Sequence, residues 1–211
     1  MQQFEPLEQG YYYHIFNRGI NGCNLFSKSE NYEYFLRLYE KYIPPVADTF
    51  AWVLIPNHFH LLIRIKEPRP MVTPVRVDKQ DGYSPDRGRN PNGDKNPSQQ
   101  FANLFNSYAQ AYNKWFSRHG SLFERPFKRK RITDKKYFQH LILYIHNNPV
   151  HHGFCQHPLE YGWSSYLSVL SEKQTNLKRE KVIKWFNDKN NFKIMHQKKQ
   201  DITAIEEWLE I

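Results

Sequence analysis

Hydrophobic and polar positions follow two different periods along this chain, and the switches between them mark its elements. The first apolar run, Tyr11-Tyr12-Tyr13-His14-Ile15-Phe16, is rich in aromatic and β-branched residues and is stopped by Asn17-Arg18-Gly19, which predicts a strand. Tyr32, Phe35, Leu36, Tyr39 and Tyr42 then recur at helical spacing, behind a start that Ser27 or Ser29 can cap and ahead of a stop at Pro44-Pro45. Two strands are predicted over 50–55 and 58–66, and the tight Pro56-Asn57 turn between them predicts a hairpin. Over 67–97 the pattern dissolves into a stretch with six prolines and three glycines, which reads as a flexible surface insertion.

The clearest periodic signal comes next: Phe101, Leu104, Phe105, Tyr108, Tyr112, Trp115 and Phe116 form one stripe of a long helix that Ser98 can cap and His119-Gly120 can stop. A strand candidate lies within 122–132. Thr133 or Asp134 then caps a second well-marked helix, expected to reach Asn147 or Asn148 before Pro149. A ββ hairpin flanked by βα and αβ pieces predicts an α+β fold, a ferredoxin-like central antiparallel sheet with helices packed on it. Beyond residue 170 the tail holds amphipathic helical pieces around 179–186 and 202–209, so the expected organisation is a domain over 1–170 and a basic, helical C-terminal extension over 171–211.

Composition adjusts this picture in two ways. Only 39% of the 211 residues are hydrophobic, but aromatics reach 16%, so the core is expected to be aromatic-rich. The net charge is +9, and residues 101–170 alone hold nine basic against three acidic side chains, which is six of those nine charges in a third of the chain. A field concentrated in this way points to a polyanionic partner, with a merely well-solvated basic face as the alternative. No apolar run is long enough to span a membrane and the first residues lack the pattern of a signal peptide, so a cytoplasmic protein is expected. Cys23 and Cys155 make neither a disulfide framework nor, by themselves, a structural zinc site.

Three groups of residues carry candidate chemistry. In the strand His58-Phe59-His60-Leu61-Leu62-Ile63-Arg64-Ile65, alternation sends Phe59, Leu61, Ile63 and Ile65 to one face and His58 and His60 outward on the other. That pair is either a bidentate clamp for a divalent metal, with positions left for a third ligand, water and a phosphate oxygen, or two half-exposed histidines. In the helix after Asp134, His140, Tyr144 and Asn148 stand four residues apart on one stripe. A tyrosine hydroxyl there can attack a phosphodiester, and Asn148 offers a neutral oxygen ligand; packing is the other reading of any one of 14 tyrosines. Arg125, Lys128, Arg129, Lys130, Arg131, Lys135 and Lys136 precede that helix, either as phosphate contacts or as an edge strand protected by charge. A histidine-triad hydrolase is excluded by Leu62, and neither a nucleophile elbow nor a Walker-type phosphate loop occurs.

Five blocks, in order, add a resemblance. They are Tyr13-His14-Ile15-Phe16-Asn17-Arg18-Gly19, Pro56-Asn57-His58-Phe59-His60-Leu61-Leu62, His119-Gly120-Ser121-Leu122-Phe123-Glu124-Arg125-Pro126-Phe127-Lys128, Tyr144-Ile145-His146-Asn147-Asn148-Pro149-Val150 and Tyr161-Gly162-Trp163-Ser164-Ser165-Tyr166. Together they resemble the single-tyrosine transposases of the HUH nuclease group, and among these the REP-associated tyrosine transposases. The resemblance implies a DNA endonuclease and transposase that cleaves and rejoins single-stranded DNA beside hairpin (palindromic) elements through a 5′-phosphotyrosine. It implies Tyr144 as nucleophile and His58 and His60 as ligands of Mg2+ or Mn2+, with Asn148 as third ligand and Asn147 as its substitute. Homodimer and monomer both occur among such proteins. The insertion at about 67–97 and His151-His152-Gly153 after the Pro149-Val150 pair depart from the family pattern. The alternatives are a stem-loop binding protein without catalysis and a replication-initiator or relaxase type of HUH nuclease.

Overall fold

The computed structural model describes residues 5–67, 95–134, 136–198 and 205–207. Strand β1 (Tyr12–Arg18) is followed by helix α1 (Ser29–Tyr42), the hairpin of β2 (Ala47–Ile55) and β3 (His58–Ile65), helix α2 (Pro97–Trp115), β4 (Lys128–Ile132) and helix α3 (Lys136–His151). Three shorter helices close the order: α4 (Tyr166–Leu170), α5 (Arg179–Trp185) and α6 (Lys189–Gln197). The strands form one antiparallel sheet in the order β2-β3-β1-β4. This is the ferredoxin-like α+β arrangement expected from the element order.

Both faces of the sheet are covered. Tyr13, Ile15, Phe59, Leu61, Ile63 and Ile65 turn to one face and pack with α1 and α2 in a core dominated by Phe26, Phe35, Phe101, Phe105 and Tyr108. Phe50, Val53, Ile55, Leu62 and Ile132 turn to the other face, where Leu141, Ile142 and Ile145 of α3 meet them in a second core that also takes in Val182, Phe186 and Phe192 of the tail. The tail helices therefore pack on the same layer as α3. Of the helical piece expected over 202–209, residues 205–207 are described; they are helical, and Ile205 is buried in the second core. The expected insertion falls, for residues 68–94, outside the described residues.

Three local readings change. The start of α1 is tied by Asn31, whose Oδ1 accepts the backbone N–H groups of Ser27 and Lys28, so neither serine caps it. Asn96, with Pro97 at the first helical position, caps α2 by accepting the N–H of Gln99, two residues ahead of the expected Ser98. Helix α3 runs through Pro149 to His151 instead of stopping before it. A proline removes one N–H there, but the chain beyond still closes turns, with His152 N–H donating to Asn148 and Phe154 N–H to Pro149.

The edge strand β2 is also sealed. Residues 163–165 run along its open side: Leu54 N–H donates to the Trp163 carbonyl, Ser165 N–H donates to the Trp52 carbonyl, and Trp52 N–H donates to Ser165 Oγ. The Trp163 indole stacks on Tyr32 with ring centroids 4.5 Å apart. The Tyr161-Gly162-Trp163-Ser164-Ser165-Tyr166 block thus satisfies backbone groups that an open edge would expose.

Candidate active site

The site lies where the N-terminal end of β3 meets the C-terminal half of α3. His58 and His60 share a face of β3, paired across the sheet with Arg18 and Phe16 of β1 and with Ile55 and Val53 of β2. Because α3 lies over this face, the pair does not stand outward as a one-sided sheet would leave it: His60 is 3% exposed and His58 is partly buried. Tyr144 comes down from α3 onto His60, with ring centroids 5.2 Å apart and planes nearly perpendicular. Asn148, one turn further on, is 1% exposed and places Oδ1 2.9 Å from His58 Nε2. His58, His60 and Tyr144 line a 320 Å³ pocket together with Asn17, Arg18, Asn57, Lys128, His152 and Glu206. Asn148 lines no part of that cavity wall but holds the ring that does.

The pocket rests on a tightly built loop. Gly19 has no room for a side chain, because a Cβ there would lie 1.9 Å from the Cys23 carbonyl oxygen. Its N–H donates to the Asn57 carbonyl at 2.8 Å, and Asn57 Oδ1 lies 2.7 Å from His58 Nδ1, so the Asn17-Arg18-Gly19 block braces the hairpin turn that orients His58. Arg18 pairs with Glu124 at 2.9 Å on the rim.

Burial, the largest cause, pulls His58 down to about 4; the Asn148 contact opposes this, while His152 and Arg18 add to it. Burial holds His60 well below the usual imidazole range, with His14, His58 and His152 adding to the effect. Both rings are therefore neutral near pH 7, the form that ligates metals. Burial also holds the Tyr144 hydroxyl well above the usual tyrosine range; the Glu206 carboxylate adds to this and Asn148 partly offsets it. The resting tyrosine is a neutral phenol.

The donors fit a divalent cation. A neutral His58 has one N–H, and if Nδ1 gives it to Asn57, then Nε2 faces Asn148 Oδ1 as a second acceptor, 2.9 Å away. That separation matches the edge of an octahedron with metal–ligand bonds of about 2.1 Å, which is about 3.0 Å. His60 Nε2 and Asn148 Nδ2 are buried and make no hydrogen bond. Among the described residues no three His, Cys, Asp or Glu side chains are grouped to hold a metal.

The basic residues divide by strand parity. Lys128 lines the pocket and its ammonium lies 5.8 Å from the Phe16 ring centroid. Lys130 projects to the same face, where His14 feels its charge. Arg129 and Arg131 turn to the other face: Arg129 stacks on Phe127 and donates to Ser98, and Arg131 stacks on Tyr11 and pairs with Glu8. Arg125 is exposed on the loop before β4. Lys135 is outside the described residues, and Lys136 opens α3. His140 is exposed and is not part of the pocket. Sequence reasoning missed Asn57, His14 and Glu206. The parity of His14 with Phe16 on β1 could have flagged it, whereas Glu206 carries no local signal.

No known family model matches the chain, and no curated protein matches it. Among solved structures, the chain is similar to a REP-associated tyrosine transposase bound to a REP hairpin, with a TM-score of 0.57 and 15% sequence identity over 82% of this chain and 87% of that one. At that identity the likeness is one of fold. Among the described residues, no helix is long and apolar enough to cross a membrane.

Proposed function

We propose that the chain is a metal-dependent transposase or endonuclease of the HUH type, which cleaves and rejoins single-stranded DNA next to hairpin sequences. One observation carries this reading. A tyrosine, two neutral histidines and an amide oxygen, drawn from positions up to 90 residues apart, converge on one pocket walled by Lys128 and Arg18. The fold shared with a hairpin-bound tyrosine transposase supports it.

Tyr144 Oη attacks the phosphorus of a phosphodiester held against Lys128 and Arg18. The new O–P bond forms as the bond to the 3′ oxygen breaks, leaving a 5′-phosphotyrosine and a free 3′-OH; attack by a 3′-OH on that linkage reverses the step and rejoins strands. The phenolic proton must leave as the bond forms. In this reading Glu206, which lines the pocket, adds to the electrostatics of Tyr144 and lies 3.8 Å from His151, takes that proton, and the departing 3′ oxygen takes one from water. His58, His60 and Asn148 would hold Mg2+ or Mn2+, which supplies charge stabilisation on a non-bridging phosphate oxygen. Two imidazoles favour Mn2+ over Mg2+.

The test is denaturing electrophoresis of the protein with labelled single-stranded hairpin oligonucleotides taken from the flanks of its own gene. A covalent adduct that needs Mn2+ or Mg2+, and that Tyr144→Phe and His58→Ala abolish, is expected. Tight, salt-sensitive binding with no adduct in either metal would instead assign a stem-loop binding module.

A further inference from the structure

Strand β1 carries a histidine that the reaction above does not use. His14 is fully buried, stacked between Phe16 (ring centroids 4.6 Å) and His60 (5.1 Å), and its Nε2 lies 3.0 Å from His60 Nδ1. It pairs across the sheet with Leu62 and reaches His60 diagonally, so the contact is built into the β1–β3 register. Two neutral imidazoles at this distance share one proton, and the ring that donates it determines what His60 presents on its far side. If His14 donates, His60 carries its own proton on Nε2 and that nitrogen cannot ligate. If His60 Nδ1–H donates, His60 Nε2 is a lone pair. That nitrogen is buried and makes no hydrogen bond. The rest of the donor set favours the second: with the His58 proton on Nδ1 toward Asn57, His58 Nε2 and Asn148 Oδ1 are acceptors 2.9 Å apart, and a cation joining them needs a third acceptor.

We propose that His14 is a positioning residue: it accepts the Nδ1 proton of His60 and fixes His60 in the tautomer whose Nε2 lone pair faces the pocket. The purpose of the contact rests on the metal-dependent reading given above, while its direction can be measured without metal. A partner on the second ring nitrogen is the usual way in which a ligating histidine is oriented, although a carboxylate or carbonyl is the commoner partner.

Long-range proton–nitrogen correlation spectra of the metal-free protein, assigned with a His60→Ala variant, read the tautomer directly. The expected result is His60 protonated on Nδ1 in the wild type and shifted to Nε2–H in His14→Leu. A Mn2+ titration followed by electron paramagnetic resonance, without DNA, is expected to show affinity lowered about 10- to 100-fold in His14→Leu. His14→Gln, whose amide oxygen can accept the same proton, should recover part of the loss, and it carries the test if the leucine variant does not fold. Wild-type His60 protonated on Nε2, or Mn2+ affinity unchanged in both His14 variants, overturns the proposal. A wild type that binds no Mn2+ but shows His60 protonated on Nδ1 upholds the proton assignment and overturns the metal reading instead.

Discussion

Four histidines are buried to 3% exposure or less: His14, His60, His146 and His196. Burial lowers His14 to about 3 and His196 to about 4, and holds His60 and His146 well below the usual range. They lie in two pairs, since His146 Nδ1 meets His196 Nε2 at 2.9 Å, while His146 Nε2 meets Ser165 Oγ at 2.8 Å. In the unfolded chain each titrates near 6.5, so on acidification the unfolded state takes up protons that the folded state refuses, and stability present above that value is lost as pH falls. From pH 6 to pH 5 the loss is about 1 kcal/mol per histidine, so several kcal/mol for the four, a large share of an ordinary domain stability of about 5–15 kcal/mol. Urea unfolding followed by tryptophan fluorescence in chelator should show that fall, well above the pH at which carboxylates titrate. His196→Gln keeps an acceptor for His146 and removes one titrating group, so its stability should depend on pH less steeply by about one histidine's share, whatever it costs at pH 7. Equal unfolding free energies at pH 6 and pH 5 would refute the reasoning.

Other expectations separate binding from folding. Lys128→Ala should weaken hairpin binding at every sequence and reduce the salt slope by about one, as for one lost phosphate contact, with the melting temperature unchanged. Arg131→Ala, which loses the stack on Tyr11 and the pair with Glu8, should leave the salt slope alone and lower thermal stability instead. Gly19→Ala forces a Cβ toward backbone 1.9 Å away. That overpacking should cost about 1–3 kcal/mol and lower the melting temperature by about 2–4 °C per kcal/mol in calorimetry. Glu206→Gln should slow adduct formation while hairpin affinity measured in chelator stays the same; equal rates would remove Glu206 as proton acceptor.

Much of this was legible in the sequence, for physical reasons. Periodicity placed β1, α1, the β2–β3 hairpin, α2 and α3, since each buries one well-marked apolar stripe or row. Which face of the sheet α3 would cover was not legible. Alternation in β3 says only that Phe59 and Leu61 oppose His58 and His60, and the burial of the histidine face follows from the docking of Ile142 and Ile145 far along the chain. The extension of α3 past Pro149 was hidden because a proline near a helix end removes one hydrogen bond without closing the remaining turns. Helix α6 was missed because its polar residues outnumber the buried Phe192 and His196 that anchor it.

Tyr144 and Asn148 ride on α3, whereas His58 and His60 belong to the sheet, and the two sets meet across the second of two separate cores. Phe35, Phe59 and Tyr108 make their aromatic contacts within the first core, so a chain in which α3 and the tail helices lifted away would keep that cluster. If the proposed tyrosine chemistry holds, heat is expected to abolish adduct formation at a lower temperature than it melts that cluster, and the gap between the two temperatures would measure how firmly one layer grips the other.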